Sequence, residues 1–121
     1  MIIDERFVTY INSLDQGNTV ILDTIEKEAL DTFVPIIRKE MQSFLKVMLS
    51  IIRPEKILEV GTAIGFSTLL MCEYGSPDLQ ITTIENYEKR IPIAKENFRK
   101  AGRGSSYFLV IRLARIGGEH I

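Results

Sequence analysis

A chain of 121 residues is the size of one domain, and 45% hydrophobic content is enough for a core. A net charge of −1 excludes a nucleic-acid or membrane surface built on bulk electrostatics, and a single cysteine, Cys72, excludes an internal disulfide framework. The N-terminus "MIIDERFVTY" lacks the apolar stretch of a signal peptide, and no apolar run approaches the ~20 residues of a membrane span, so a reducing cytoplasmic location is expected.

Residues 4–14 carry Phe7, Val8, Ile11 and Leu14 at helical spacing, with Asp4 as N-cap. "DQGNT" (15–19) reads as a loop. A second helix is predicted over 23–33, with Ile25, Ala29, Leu30 and Phe33 on one face, ended near Pro35. Residues 38–52 form the clearest amphipathic helix, its stripe made of Met41, Phe44, Leu45, Met48, Leu49 and Ile52, and Pro54 stops it.

The period then changes. "KILEVG" (56–61) is short, apolar and closed by glycine, while "STLLMCEYG" (67–75) reads as a helix ending at Gly75. "QITTIE" (80–85) is a β-branched strand. Residues 87–100 place Tyr87, Ile91, Ala94 and Phe98 on a helical face, with Gly102 past its end. Pro92 requires that helix either to begin near Arg90 or to kink. "YFLVIRL" (107–113) is a third strand. Alternating strands and helices with nearly continuous apolar strands imply an α/β fold with a parallel sheet covered by helices on both faces. Right-handed crossovers give the strand order 3-2-1.

In an open parallel sheet, ligands sit beyond the carboxyl ends of the strands. The stretch "ILEVGTAIGFST" places a turn there, with Gly61 allowing the sharp bend and Gly65 removing a side chain where a ligand or the following helix would collide. That helix offers unpaired N–H groups and a positive dipole end to a carboxylate or phosphate, and Ser67 adds a hydroxyl. Glu85 ends the second strand, where a carboxylate accepts from the two hydroxyls of a ribose. The glycine spacing fits neither the dinucleotide fingerprint nor the P-loop, which disfavours an NAD-dependent enzyme. A nucleoside with a small anionic end remains, the shape of S-adenosylmethionine, beside the alternative of an ordinary strand-to-helix turn.

"MQSFLKVMLSIIRPEKILEVGTAIGFSTLLM" followed by "ITTIENYEKRIPIAKENFRKAG" resembles the cation-dependent S-adenosylmethionine O-methyltransferases, the family of caffeoyl-CoA and catechol O-methyltransferases and their small bacterial members. The likeness covers about residues 35–102. It implies the N-terminal half of a Rossmann-like methyltransferase fold, with helices over 1–53 and the cofactor-binding part over 54–121 of a single incomplete domain. By the same resemblance Glu59, Gly61, Thr62, Ala63 and Gly65 form the cofactor loop, Phe66 and Ser67 lie near the methionine part, and Glu85 binds the ribose. Met41 would lie close to cofactor or acceptor, although a methionine in an apolar stripe is more often core. The implied activity is methyl transfer to a hydroxyl of a small catechol-like acceptor. A hydroxylated uridine of tRNA, or a non-catalytic cofactor-binding or interaction module, are the alternatives.

The family pattern is lost after Gly102, where the chain reads "RGSSYFLVIRLARIGGEHI". Relatives continue with residues that bind a divalent cation, Mg, and with the catalytic base. In this chain Glu88 and Glu96 belong to a helix, Glu119 and the lone His120 are terminal, and one histidine makes no metal site. The expectation is therefore a chain cut short after about residue 102, with cofactor residues present, metal ligands absent and catalytic residues unknown. "KILEV", central in the full fold, would keep an open apolar edge, so the chain is expected to self-associate by edge pairing or exchange of elements.

Overall fold

Local capping starts the first two helices. The computed structural model describes residues 4–14, 17–103 and 109–113, the last segment as backbone. Helix α1 spans Glu5–Ser13, and the Asp4 carboxylate accepts the Arg6 N–H at 2.9 Å. Helix α2 spans Val20–Asp31 and starts three residues before the predicted position, because the Thr19 hydroxyl accepts the Leu22 N–H. It also ends earlier: Phe33 turns left-handed (φ 58°) and stands 91% exposed, so Leu22, not Phe33, completes the buried face with Ile25 and Ala29. The bend is set by Val34, whose following proline disfavours helical backbone.

Helix α3 spans Lys39–Ile52 and closes with Arg53 in the left-handed region, whose N–H reaches the Leu49 carbonyl at 3.0 Å before Pro54. Alternation follows as expected: strand β1 (Lys56–Val60), helix α4 (Phe66–Tyr74), strand β2 (Gln80–Glu85), helix α5 (Ile91–Lys100) and strand β3 (Leu109–Leu113). Of the two options for Pro92, the structure takes the first. Arg90 is the cap, the proline falls in the first turn where no intrahelical N–H is lost, and Tyr87 stays outside the helix. Tyr107 and Phe108 of the expected third strand, Glu119 and His120, and Asp15 and Gln16 of the expected loop lie outside the described residues.

The sheet is parallel in the order β1-β2-β3, with Ile57 opposite Ile81 and Ile81 opposite Leu109. This is the α/β class and strand order predicted. Helix α2 lies against α4 and α5 through a cluster of Leu22, Ile25, Ala29, Phe66, Leu70 and Phe98. Beneath α3, a second cluster joins Leu49 to Met71, Cys72, Leu79 and Ile81. The Leu, Ile, Phe and Met side chains among them each contribute about 1.5–3 kcal/mol on full burial.

Helix coverage differs from the expectation of both faces. Two right-handed crossovers running in one direction put their helices on the same side, and α4 and α5 share one cluster. Ile57 and Glu59 face that side, while Leu58 and Val60 point the other way and are 66% and 80% exposed. Among the described residues β1 has a neighbour on one side only.

Burial pushes the Cys72 thiol above its usual range, against the pull of the nearby Arg103 cation. A thiol-disulfide reagent near neutral pH is therefore expected to react with the native chain more than about tenfold slower than in denaturant. Equal rates would show that α4 opens readily. Among the described residues no helix is long and apolar enough to cross a membrane.

Candidate cofactor site

The turn between β1 and α4 is built backbone first. Gly61 (φ 94°) donates to the Ile84 carbonyl at 2.8 Å, Ala63 is left-handed (φ 51°), and Gly65 (φ 94°) is the cap residue of α4. No side chain caps that helix, so its first N–H groups are open to a ligand at the positive dipole end. Gly65 also has a packing reason. A Cβ there would stand 2.6 Å from Phe98 Cε1, so the element it would meet within the chain is α5.

Two carboxylates hold the turn in place. Glu85 is 6% exposed; one of its oxygens accepts the Ala63 N–H at 2.7 Å and the other the Tyr87 N–H at 2.9 Å. It thus ties the end of β2 to the turn after β1. Each oxygen keeps a further acceptor site, which suits two ribose hydroxyl donors. Glu59 faces the helix side of β1 and accepts from three hydroxyls: Ser67 at 2.5 Å, Thr83 at 2.7 Å, and Thr68. Thr83 also shares a hydrogen bond of 2.6 Å with Thr62. The Ser67 hydroxyl proton is therefore engaged by Glu59, and what Ser67 keeps for a ligand is oxygen lone pairs.

A cavity of about 280 Å³ opens at this turn. One wall is Gly61, Thr62 and Ala63 with Phe66 and Ser67 from α4; the other is Pro35, Ile36 and Ile37. Five of the nine predicted cofactor residues thus line one space. Glu85 and Glu59 act on its wall, and Gly65 sits behind it against Phe98. Met41, 46% exposed in the first turn of α3, is neither core nor part of the cavity wall.

Sequence reasoning missed the second wall and what supports it. Gln42, 1% exposed, donates to Glu26 at 2.8 Å and to the Ile37 carbonyl at 3.0 Å, while its own carbonyl accepts from Asn18 at 3.1 Å. Asn97 donates to the Ile64 carbonyl at 2.8 Å and so clamps α5 to the turn. A polar residue inside an apolar helical stripe was the signal to read for both; Ile36 and Ile37 carried none. Among the described residues, no group of three or more His, Cys, Asp and Glu gathers as a metal site. The described side chains therefore do not fit the divalent cation that the resemblance implies.

A glycine turn leaving the first strand of a parallel sheet, an open helix N-terminus and a carboxylate ending the second strand define a Rossmann-like cofactor domain. Residues 12–113 match the O-methyltransferase family, and the chain belongs to that family. The catechol O-methyltransferase of Mycobacterium tuberculosis is 32% identical over 59 residues, which are 49% of this chain and 27% of that protein. A Staphylococcus aureus structure placed among caffeoyl-CoA O-methyltransferases superimposes with a TM-score of 0.79 at 27% identity, covering 93% of this chain and 52% of that one. The O-methyltransferase TomG of Streptomyces achromogenes, solved in complex with SAM, gives a TM-score of 0.74 at 21% identity and covers 95% and 53%. This chain spans about half the length of these solved structures.

Proposed function

We propose that the chain binds S-adenosylmethionine at the Gly61–Gly65 turn and serves methyl transfer to a hydroxyl of a small catechol-like acceptor. The observation that carries this reading is the Glu85 carboxylate at the mouth of the glycine turn, in a fold that TomG shares and that was solved there with SAM. The open first turn of α4 receives the ligand's carboxylate. Glu85 receives the ribose hydroxyls, and Ile36 and Ile37 shield the opposite side from water. When bound, the cofactor supplies a methyl group on a sulfonium, and this chain's residues orient it. The catechol-like acceptor is supported by the names of the M. tuberculosis and S. aureus relatives. The single, buried cysteine fits a reducing cytoplasm.

Calorimetric titration with S-adenosylhomocysteine tests the site. Glu85→Ala is expected to weaken binding by about 100-fold or more, the effect of losing two hydrogen bonds to a charged acceptor at about 1.5–3 kcal/mol each. Glu85→Gln, which keeps a carbonyl acceptor for Ala63 but turns a donor toward the Tyr87 N–H, should fall in between in affinity and cost about 1–3 kcal/mol of stability. An unchanged affinity in a folded Glu85→Ala chain would remove Glu85 from the site, and no binding by the parent chain would defeat the cofactor reading.

A further inference from the structure

Three groups meet at one buried amide that does not itself line the cofactor cavity. Gln42, near the start of α3, is 1% exposed. Its side-chain N–H groups donate to Glu26 on α2 at 2.8 Å and to the Ile37 carbonyl at 3.0 Å. Its own carbonyl accepts from Asn18 at 3.1 Å. A carboxylate and a backbone carbonyl can only accept, so these neighbours fix which end of the amide faces which. The other oxygen of Glu26 is paired with Lys39 at 3.4 Å. One side chain therefore joins α2, α3, the loop before α2 and the segment that carries Ile36 and Ile37.

That segment needs such a hold. Residues 34–38 belong to no helix or strand. Pro35 has no N–H to give, and α3 starts at Arg38 without a side-chain cap. Ile36 and Ile37 pack against the core cluster, but apolar attraction is non-directional and fixes no orientation. The hydrogen bond from Gln42 fixes where the Ile37 carbonyl stands, and with it the wall that faces Gly61, Thr62 and Ala63. Burying an amide carries a desolvation cost that a leucine or methionine of similar volume avoids. Packing alone gives no reason for a glutamine here; holding a carbonyl does.

We infer that Gln42 is a positioning residue for the cofactor. Through the Ile37 carbonyl it sets the wall of Pro35, Ile36 and Ile37, and so the affinity of the cavity for its ligand. The inference rests on the cofactor reading above and adds to it a residue that does not touch the ligand.

The test compares three variants by calorimetry with S-adenosylhomocysteine and by NMR of isoleucine methyl groups. Glu26→Gln keeps both Gln42 donors engaged and should bind like the parent. Glu26→Gln combined with Gln42→Glu reverses the bond between α2 and α3, keeps an acceptor for Asn18 and leaves nothing to donate to Ile37. It should bind about tenfold more weakly, the effect of one lost hydrogen bond. The methyls of Ile36 and Ile37 should also gain mobility on the ps–ns timescale, while that of Ile81 in β2 stays rigid. Gln42→Met fills the same space without a donor and should show both effects, which keeps the test open if the introduced carboxylate prevents folding. A purely structural role would lower the melting temperature and leave both readouts of the folded chain unchanged. Folded variants that bind as the parent does, or that keep the Ile36 and Ile37 methyls rigid, overturn the inference. So does a Glu26→Gln chain that loses as much affinity as the double variant. A parent chain that does not bind defeats the cofactor reading and the inference with it, an outcome distinct from variants that match a binding parent.

Discussion

Gly65→Ala is expected to remove about 2–5 kcal/mol of stability, most of what a domain this size possesses. Two costs combine. The backbone at position 65 is left-handed (φ 94°), where a Cβ costs about 1–2 kcal/mol. The new methyl would also stand 2.6 Å from Phe98 Cε1 and 3.1 Å from Cζ, so the ring, 3% exposed and packed on all sides, would have to shift. Gly61→Ala is the control. It shares the φ of 94° but would meet nothing within 4 Å, so only the backbone cost remains. Urea denaturation of the two variants separates the effects. Equal losses would mean that Phe98 gives way freely and that Gly65 is required by its backbone alone. If the contact matters, Gly65→Ala combined with Phe98→Leu should lose less than the sum of the single changes, because the two sites touch.

Glu59→Ala is expected to cost about 3 kcal/mol, because two buried hydroxyls, those of Thr68 and Thr83, lose a charged acceptor. Thr68 and Thr83 are fully buried, and both donate to the Glu59 carboxylate together with Ser67. Glu59→Gln keeps the shape and one acceptor oxygen and should cost about 1 kcal/mol. Glu59 acts on the site through Ser67 and the first turn of α4, so it is a positioning residue. Its glutamine variant should therefore weaken S-adenosylhomocysteine binding less than Glu85→Ala does. A Glu59→Ala chain as stable as the parent would show that the hydroxyls find other acceptors and that Glu59 does not hold the turn.

Much of the fold was legible because its signals are local. Asp4 starts a helix two residues before the N–H it accepts, and Pro92 falls within a first turn. The change from helical to strand period at residue 56 needed no knowledge of distant contacts. The site was legible for the same reason where it is made of one stretch: Gly61, Thr62, Ala63, Phe66 and Ser67 line one cavity because they lie close together along a single turn.

Helix faces were less legible. Leu30, Phe33, Met41 and Phe44 fit the predicted buried stripes and yet are exposed. A helix with a broad apolar face buries only the part for which a neighbour exists, and spacing does not say how many neighbours there are.

The amino-acid sequence by itself determined the order and kind of the elements, the parallel sheet and the position of the glycine turn, because these follow from propensity, capping and period within a few residues. Only the tertiary structure decided what each polar group does. Glu59 meets Ser67 and Thr68 eight and nine residues on, and Thr83 on the next strand. Gln42 meets Glu26 across two helices, and Gly65 answers to Phe98 on α5. Hydrogen bonds and close packing act over about 3–4 Å. Which groups come that near is set by how the chain folds back on itself.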